Sequence, residues 1–370
     1  MLPRMASLAS EKPFWLRRLV GVILAIVLAS LGAGRHVAAQ SEVIDFDVIG
    51  GLAGVSQYDR FEEPFWSTTV PIITGRRVRA HVVSSERSGV RGQDVLQLLR
   101  LGVVSFGNVL LALAASEEPE LNGIDLPLLN PDIQHLRQTV EIWRPRLTAL
   151  LEERYGVKLL AIYTYPAQVM FCRDAFSGLS DLIGRRVRTS SVGQSELVAA
   201  LGGVPVVIPF SEIVSAMRRG VVQCAITGSK SGNSIGLHEV STHISRLGIS
   251  WGVSIFAANL AYWEALPEEV RQQLVSGIER LQQDIWAASD QETRDGFNCN
   301  TGQATCAGGR PGNMIIVDES AQDNVRRVRL LTDTVVRNWV KRCGTECERS
   351  WNALMQTATG VRAGEPANDK

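Results

Sequence analysis

The chain has 370 residues, of which 45% are apolar and 21% are charged, a composition typical of a folded protein with one or two core-bearing domains. The 38 basic residues match the 38 acidic residues in number, and removal of the first 39 residues would leave a formal charge of −4. This charge and the lack of a polybasic tract exclude a nucleic-acid-binding protein.

The amino terminus has the pattern of a secretory signal peptide. Arg17 and Arg18 precede an uncharged apolar run at 19–33, and small residues follow at 37–39. A basic region, a short apolar region and a small-residue cleavage site define such a peptide. We expect cleavage after Ala39 and export, because the run is shorter than the about 20 residues of a membrane-spanning helix. An uncleaved anchor is the alternative, and the choice between the Sec and twin-arginine routes stays open.

The mature chain begins with alternating strands and helices. Apolar periodicity predicts these elements at 43–52, 61–73, 77–83, 93–100 and 103–113. The loop at 50–58 is rich in glycine and polar groups, and Gln57 or Tyr58 in this loop is a candidate ligand contact. A simple turn of the chain is the equal alternative. Glu86, in the loop after the second strand, is interpreted as a solvated carboxylate.

A long amphipathic helix is predicted from Asn130 to Tyr155. Asn130 would be its N-cap, Pro131 its first residue, and Gly156 its end. Apolar residues recur at helical spacing along one face, which places Trp143 in the core.

Two further apolar runs, at 157–165 and 251–260, are candidate crossings between two lobes. Two crossings make a hinge, and a cleft between two α/β lobes is a common place for a small-molecule site. Trp251, at the second crossing, is therefore a candidate pocket residue.

The stretch at 178–228 predicts a βαβαβ unit with a parallel sheet. Its elements are strands near 187, at 204–208 and at 221–227, and helices at 195–201 and 211–219. Open parallel sheets bind ligands beyond the carboxyl ends of their strands. Those ends hold Arg188, Ser190, Phe210 and Thr227. A cation, hydroxyl groups and an aromatic ring are expected to converge there, which predicts a pocket for a small organic anion.

The longest helix is predicted at 267–296, opened by Pro267 and closed by Gly296. At a rise of about 1.5 Å per residue it would be about 45 Å long, enough to lie across both lobes. A loop rich in cysteine and glycine follows at 298–313, then a helical part at 321–355 and a loose tail after 358.

All six cysteines lie beyond the signal peptide. An even number in an oxidising compartment favours disulfides, and six cysteines allow fifteen connectivities. The preferred pairs are the local links Cys299–Cys306 and Cys343–Cys347, which leave Cys172–Cys224 as the long-range link. A zinc site is the alternative, but these pairs lie apart and no histidine stands at ligand spacing beside them.

Five short segments follow one another in a fixed order along the mature chain. They are IDLPLL at 124–129, DLIGRRVR at 181–188, ALGGVPV at 200–206, FSE at 210–212 and AMRRGVVQ at 216–223. In order and spacing they resemble the DctP-type solute-binding proteins of TRAP (tripartite ATP-independent periplasmic) transporters. The resemblance extends over about 43–354.

The resemblance implies a type II periplasmic-binding-protein fold, with two α/β lobes joined by a hinge and a long helix spanning both. It implies that Arg188 pairs with the carboxylate of the ligand, a role suited to the forked guanidinium group. Further ligand contacts are implied at Gln168 and near Thr227, where this chain departs from other members, so the second polar group of the ligand stays open. Cys172 and Cys224 are extra to the family pattern, which supports their pairing.

The sequence patterns and the resemblance together give the expected domain organisation. The expected parts are a signal peptide at 1–39, a first lobe at 40–164 plus about 252–290, a second lobe at 165–251, a helical part at 291–358 that packs on the lobes, and a flexible tail at 359–370.

On this resemblance the chain is expected to be a monomeric periplasmic receptor. It would capture a small organic acid and deliver it to the small and large membrane subunits of a TRAP permease, without catalysis, cofactor or nucleic acid. The alternatives are a receptor that feeds a membrane sensor and an exported enzyme on the same fold. The enzyme is disfavoured because the sequence contains no nucleophile elbow, catalytic triad, phosphate loop or metal cluster.

Overall fold

The computed structural model describes residues 43–364, and the strands in that range form two separate mixed sheets. The signal peptide predicted at 1–39 lies outside the described residues. The strands are β1 (Ile44–Gly50), β2 (Val78–Ser84), β3 (Phe106–Leu110), β4 (Val157–Thr164), β5 (Gln168–Cys172), β6 (Arg186–Thr189), β7 (Val204–Val207), β8 (Cys224–Gly228), β9 (His243–Ser245), β10 (Val253–Asn259) and β11 (Ile315–Val317).

Helices connect the strands and cover the sheets. They are α1 (Val70–Ile73), α2 (Ser85–Ser88), α3 (Val95–Arg100), α4 (Leu111–Ala114), α5 (Ile133–Tyr155), α6 (Val192–Ala200), α7 (Ile213–Arg218), α8 (Ser229–Ser234), α9 (Leu260–Ala265), α10 (Glu268–Asn300), α11 (Ala321–Leu330), α12 (Arg337–Cys343), α13 (Thr345–Leu354) and α14 (Gln356–Thr359). Turns of π-helix precede α1 at Gln57–Glu62 and Phe65–Thr69, and another joins α11 to α12 at Leu331–Val336.

The first sheet has the order β2-β1-β3-β10-β4 and forms the centre of the first lobe. Strand β1 pairs in parallel with β2 and β3, and β10 runs antiparallel to β3 and β4. An aromatic cluster fills its core, where Trp66 stacks on Phe256 and tilts against Phe106. The predicted alternation of strands and helices before residue 114 is confirmed, although the apolar run at 103–113 is divided between β3 and α4.

The second sheet has the order β11-β9-β5-β8-β6-β7 and forms the centre of the second lobe. Strand β6 pairs in parallel with both β7 and β8, which confirms the predicted βαβαβ unit. The last strand of this unit begins at Cys224, later than predicted, because the chain first turns through Gly220 at a φ of 70°.

Helix α5 begins at Ile133, two residues later than predicted. Its N-cap is Asp132, whose Oδ1 atom accepts two backbone N–H groups of the first turn at 2.9 and 3.0 Å. The predicted N-cap at Asn130 is wrong, because this side chain is buried and donates to the carbonyl of Ile124 at 2.8 Å. The end at Gly156, in the left-handed region at φ 59°, is confirmed.

The chain crosses between the lobes at 165–167 and again at 246–252. The first segment joins β4 to β5, and the second leads back into β10. Gln168, the first residue of β5, forms a β-bridge with Ser250 in the second crossing segment. The two-stranded hinge expected from the sequence is therefore present.

Helix α10 has 33 residues and spans about 50 Å. Near its middle, Trp286 Nε1 donates to the carbonyl of Ile162 in the first lobe at 2.8 Å. At its end, Asn300 Nδ2 donates to the carbonyl of Ser229 in the second lobe at 2.9 Å. The helix thus contacts both lobes, and it continues through Gly296, where it was predicted to end.

Three disulfides join the cysteine pairs predicted from the sequence. They are Cys172–Cys224, Cys299–Cys306 and Cys343–Cys347. The first pair links β5 to β8 at directly opposed positions of the ladder.

The helices after β11 pack back onto the first lobe. Trp339 lies edge-on to Trp143, with ring centroids 6.1 Å apart, and Trp143 is fully buried, as predicted. The loose tail expected after 358 is packed at its start, because Val361 and Ala363 are buried. Within residues 43–364, no helix combines the length and the apolarity that crossing a membrane requires.

Candidate functional site

A cavity of about 330 Å³ lies between the two lobes, next to the hinge. Pockets of roughly 300–1,000 Å³ are usual for small ligands. Five of the seven predicted ligand contacts line it, namely Gln168, Arg188, Ser190, Phe210 and Thr227. The structure therefore brings together at one site the side chains expected at the strand ends of the second lobe. Their contact with a ligand stays a prediction.

Arg188 lies on β6 and lines the second-lobe wall, and only 4% of it is exposed. Its Nε donates to the carbonyl of Ile208 at 2.9 Å, and its Nη1 donates to the carbonyl of Ile226 at 2.7 Å. Within residues 43–364 no carboxylate pairs with it, and burial lowers its pKa to about 9. A buried cation without a counterion is costly, so the site favours an anion from outside the protein.

Gln168 and Ser190 flank Arg188 and share a partner behind the cavity wall. Ser190 Oγ donates to Gln194 Oε1 at 3.1 Å, and Gln194 Nε2 donates to Gln168 Oε1. Ser250 Oγ also donates to Gln168 Oε1, at 3.1 Å. These bonds fix both cavity-lining side chains relative to the hinge.

An apolar surface completes the wall of the second lobe. Phe210 is half-buried and packs against the core of that lobe while it also faces the cavity. Thr227, on β8, is 4% exposed and lines the same surface. Phe210 thus serves both as cavity wall and as core contact.

The first lobe contributes a wall that the sequence did not indicate. Leu52, Val90 and Leu113 are among its apolar members. Glu86, interpreted above as a solvated carboxylate, is exposed but lines the cavity and accepts the backbone N–H of Ala53 at 2.9 Å. Leu52, Glu86 and the start of α4 follow the carboxyl ends of β1, β2 and β3. The strand-end rule, applied to the first sheet as well, would have identified this wall.

Arg91 is the second cation at the cavity, and it is already paired. It is exposed, and it forms two hydrogen bonds with the Asp94 carboxylate at 2.7 and 3.1 Å. Asp94 therefore neutralises Arg91, whereas Arg188 keeps its charge for a ligand.

Gln57 and Trp251 lie outside the cavity wall. Gln57 is fully buried, and its Nε2 donates to Glu292 Oε2 on α10 at 3.3 Å. The Trp251 ring donates through Nε1 to the carbonyl of Asn130 at 2.9 Å. The structure thus places both predicted contacts away from this cavity, with their side chains hydrogen-bonded within the protein.

Asp125, in the IDLPLL segment, accepts hydrogen bonds from the backbone where the chain returns to the first lobe. Its carboxylate accepts the backbone N–H groups of Trp251, Gly252 and Val253 at 2.9, 2.7 and 3.2 Å. Burial nevertheless raises the pKa of Asp125 to about 6, because desolvation outweighs these hydrogen bonds. This contact gives the segment a physical role in holding the hinge.

Glu62 is, like Asp125, a buried carboxylate that accepts a backbone N–H group, and it lies beneath the turn that follows β1. It accepts the backbone N–H of Gly51 at 2.6 Å, Asn108 Nδ2 at 2.7 Å and the hydroxyl group of Tyr163. Burial raises its pKa to about 7. Glu62 thus supports the first-lobe loop that ends in the cavity wall.

A larger groove of about 710 Å³ lies on the surface between the helical segment at 57–73 and α10. Its charged members, such as Arg60, Glu269 and Arg280, are exposed. The inter-lobe cavity is the better candidate, because it alone of these two contains a buried cation without a counterion. In the described part of the chain, no three His, Cys, Asp or Glu side chains are grouped as metal ligands.

Comparison with known proteins identifies relatives of most of the two-lobed unit. The family described as "Bacterial extracellular solute-binding protein, family 7" (DctP) matches residues 65–299. The C4-dicarboxylate-binding periplasmic protein DctP of Rhodobacter capsulatus is 23% identical over 272 residues, which are 71% of this chain and 78% of that protein. The resemblance stated from the five segments is confirmed.

Solved structures share the fold. DctP7 of Bordetella pertussis, an extracytoplasmic solute receptor binding pyroglutamic acid, has a TM-score of 0.73 at 19% identity, over 84% of this chain and 99% of that one. A TRAP periplasmic solute-binding protein of Rhodoferax ferrireducens with bound malonate has a TM-score of 0.72 at 18% identity, over 86% and 98%. These likenesses confirm the predicted fold of two α/β lobes with a long helix in contact with both.

Proposed function

This chain belongs to the DctP family of bacterial extracellular solute-binding proteins, family 7, and we propose that it is a periplasmic receptor for a small organic acid. The family is one of solute-binding proteins and not of enzymes. Relatives of this chain bind acids by name, a C4-dicarboxylate in one case and pyroglutamic acid in another.

The observation on which the proposal rests is the state of Arg188. Two backbone carbonyls hold Nε and Nη1, which leaves Nη2 without a hydrogen-bond partner in residues 43–364. A guanidinium group fixed in this way is pre-organised for a carboxylate, since little side-chain entropy remains to be lost on binding. Closure of the lobes would exclude water from the ion pair and strengthen it.

The membrane partner follows from the family. Receptors of TRAP transporters deliver their solute to a permease with a small and a large membrane subunit. A ligand held by both walls of the cavity stabilises the closed arrangement of the lobes, so the permease meets a different surface in the loaded receptor. Uptake of the identified acid by vesicles that contain the permease, only when the receptor is added, tests this step.

The acid itself is tested with purified mature protein. Malonate, succinate and pyroglutamate are added at increasing concentrations while thermal unfolding is followed, because a ligand that binds only the folded state stabilises it by mass action. We expect at least one acid to raise the melting temperature. Mass spectrometry of small molecules released on denaturation would identify a co-purified ligand directly.

Two variants separate the anchor from general charge effects. Arg188→Ala should abolish the ligand-induced shift, whereas Arg185→Ala should retain it, because Arg185 is only partly buried and donates to the carbonyl of Ala175, away from the cavity. Equal binding by Arg188→Ala and wild type would exclude Arg188 as the anchor. No shift with any acid would contradict the proposed receptor function.

A further inference from the structure

A chain of polar side chains lies behind the cavity, and Gln194 is at its centre. Gln194 is 2% exposed and is in the first turn of α6, where its backbone N–H donates to Ser191 Oγ at 3.2 Å. Its side chain links Ser190, on the second-lobe wall, to Gln168 and Ser250, at the hinge.

One backbone group determines which atom donates and which accepts in each hydrogen bond between these polar side chains. The backbone N–H of Ser190 can only donate, and it lies 2.9 Å from one end of the Gln194 amide. That end must therefore be the oxygen Oε1, and the other end, next to Gln168, must be the NH₂ group. The atom of Gln168 that faces Gln194 must accept, so it is Oε1.

Gln168 is consequently left with its NH₂ group for the ligand. Its Oε1 accepts from both Gln194 and Ser250, and in residues 43–364 no protein acceptor is bonded to its Nε2. All four hydrogen-bonding sites of the Gln194 amide are occupied, because Oε1 accepts two hydrogen bonds from Ser190 and Nε2 donates to Gln168 and Ser250. It acts on a ligand only through Gln168.

We propose that Gln194 is a positioning residue that makes Gln168 a hydrogen-bond donor, so that the cavity selects an acid with a second oxygen acceptor. This inference rests on the proposed carboxylate receptor and extends it to the class of ligand. Arg188 and Gln168 both present donors, so a dicarboxylate or an oxo acid fits both positions. An acid whose second group is an ammonium would place donor against donor.

Paired probes test the selection without knowledge of the natural ligand. Each pair has a diacid and the amino acid in which an ammonium replaces one carboxylate: malonate with glycine, succinate with β-alanine, and glutarate with 4-aminobutanoate. Titration calorimetry should show that wild type prefers the diacid by about tenfold or more, the size of one hydrogen bond gained or lost. A preference for the amino acids would overturn the inference.

Gln194→Glu is the informative variant. Its carboxylate still accepts from Ser190 but cannot donate to Gln168, so Gln168 turns its NH₂ group toward position 194 and presents Oε1 to the cavity. We expect the preference to move by about tenfold or more toward the amino acids. An unchanged preference would overturn the inference.

The double variant Gln168→Met with Gln194→Glu separates the orientation of Gln168 from the negative charge that Gln194→Glu adds near an ammonium ligand. If Gln194 acts through Gln168, removal of the Gln168 amide abolishes the change in preference that Gln194→Glu causes. If the change persists, a direct charge effect explains it and the inference is wrong. Gln194→Leu removes every hydrogen bond of this side chain, and it should lower the preference for the diacids without inverting it. Circular dichroism verifies that each variant folds.

The two proposals fail in different ways. If wild type binds no member of any pair and no acid of the panel above, the carboxylate receptor is wrong and the inference falls with it. If wild type binds the diacids through Arg188 and Gln194→Glu retains their preference, only the role of Gln194 is wrong.

Discussion

Gly252 leaves the space that the side chain of Gln168 occupies at the hinge. A Cβ atom on Gly252 would lie 2.8 Å from Gln168 Nε2, which is closer than such contacts allow. Gly252 also has a φ of 72°, in the left-handed region. Gly252 therefore allows the backbone turn by which the chain returns to the first lobe, and it leaves room for the Gln168 amide at the cavity wall.

Gly252→Ala should weaken ligand binding as well as stability. The positive φ costs an alanine about 1–2 kcal/mol of unfolding free energy, and the new methyl group displaces Gln168 from its hydrogen bonds. Gly184→Ala is the matched control, because Gly184 has a φ of 73° and its methyl group would have no neighbouring atom within 4 Å. Urea denaturation should show similar losses of unfolding free energy for both variants. Calorimetry should show a loss of ligand affinity only for Gly252→Ala. Equal affinities would contradict the role of Gly252.

The titration of Glu62 and Asp125 should make the protein less stable as the pH rises from about 4 to about 7. Burial raises the pKa of Glu62 from 4.5 to about 7 and that of Asp125 from 3.8 to about 6. Between the unfolded and folded pKa values the folded state binds more protons, so unfolding releases protons and becomes easier with rising pH. Each group contributes a slope of up to about 1.4 kcal/mol per pH unit in its own window.

Glu62→Gln tests this dependence, because it removes one of the two titrations. The free energy of unfolding in urea, measured from about pH 4 to about pH 8, should vary less steeply in the variant than in wild type above about pH 5. Glu279→Gln, at an exposed position of α10, should leave the profile unchanged. A profile of Glu62→Gln parallel to that of wild type would show that Glu62 does not cause the slope.

The second-lobe side of the cavity could be predicted from sequence because local signals define it. Short apolar runs mark β6, β7 and β8, and the residues after parallel strands meet at one edge of a sheet. Arg188, Phe210 and Thr227 follow from this rule. Strands β9 and β11 have only three residues each, too few for a period of two to appear.

The connection from Ser190 through Gln194 to Gln168 could not be predicted. Gln194 and Gln168 are 26 positions apart, and Ser250 is 82 positions from Gln168. Their contact depends on how the two hinge segments align with β6, which no local pattern records. The same is true of Gln57, whose hydrogen-bond partner Glu292 is 235 positions away. No local pattern shows that this polar side chain bonds to α10.

The long-range disulfide should contribute more to stability than the local one after α10. Cys172–Cys224 closes a separation of 52 residues and Cys299–Cys306 one of 7. Chain entropy alone predicts losses of about 4 and about 2 kcal/mol when the pairs are replaced by alanine. Urea denaturation of the two double variants measures the difference. Alkylation and peptide mapping of oxidised wild type should find all six cysteines blocked, and a free Cys172 or Cys224 would contradict the assigned pairing.

Gly296 lies where α10 packs directly on the backbone of α8. A Cβ atom there would lie 2.5 Å from both the backbone N of Lys230 and the carbonyl carbon of Ser229. In an isolated helix alanine is favoured over glycine by about 1 kcal/mol, but here the added methyl group meets backbone atoms that cannot turn aside. Gly296→Ala should therefore destabilise the protein, by about 1–3 kcal/mol for an overpacked core.

The same variant should also weaken ligand binding. Helix α8 begins after Gly228 and contains Ser231, and both residues line the cavity, so a shift of α8 moves the wall. Gly277→Ala, in the same helix as Gly296, is the control, because its methyl group would meet side-chain atoms and no backbone: Cδ1 of Ile73 at 2.8 Å and the ring of Phe65 at 3.1 Å. Urea denaturation and calorimetry should show larger losses of stability and affinity for Gly296→Ala. Equal losses of stability and affinity in the two variants would mean that α8 and α10 can move apart to accept the methyl group. In that case the contact between α10 and α8 does not position the cavity wall.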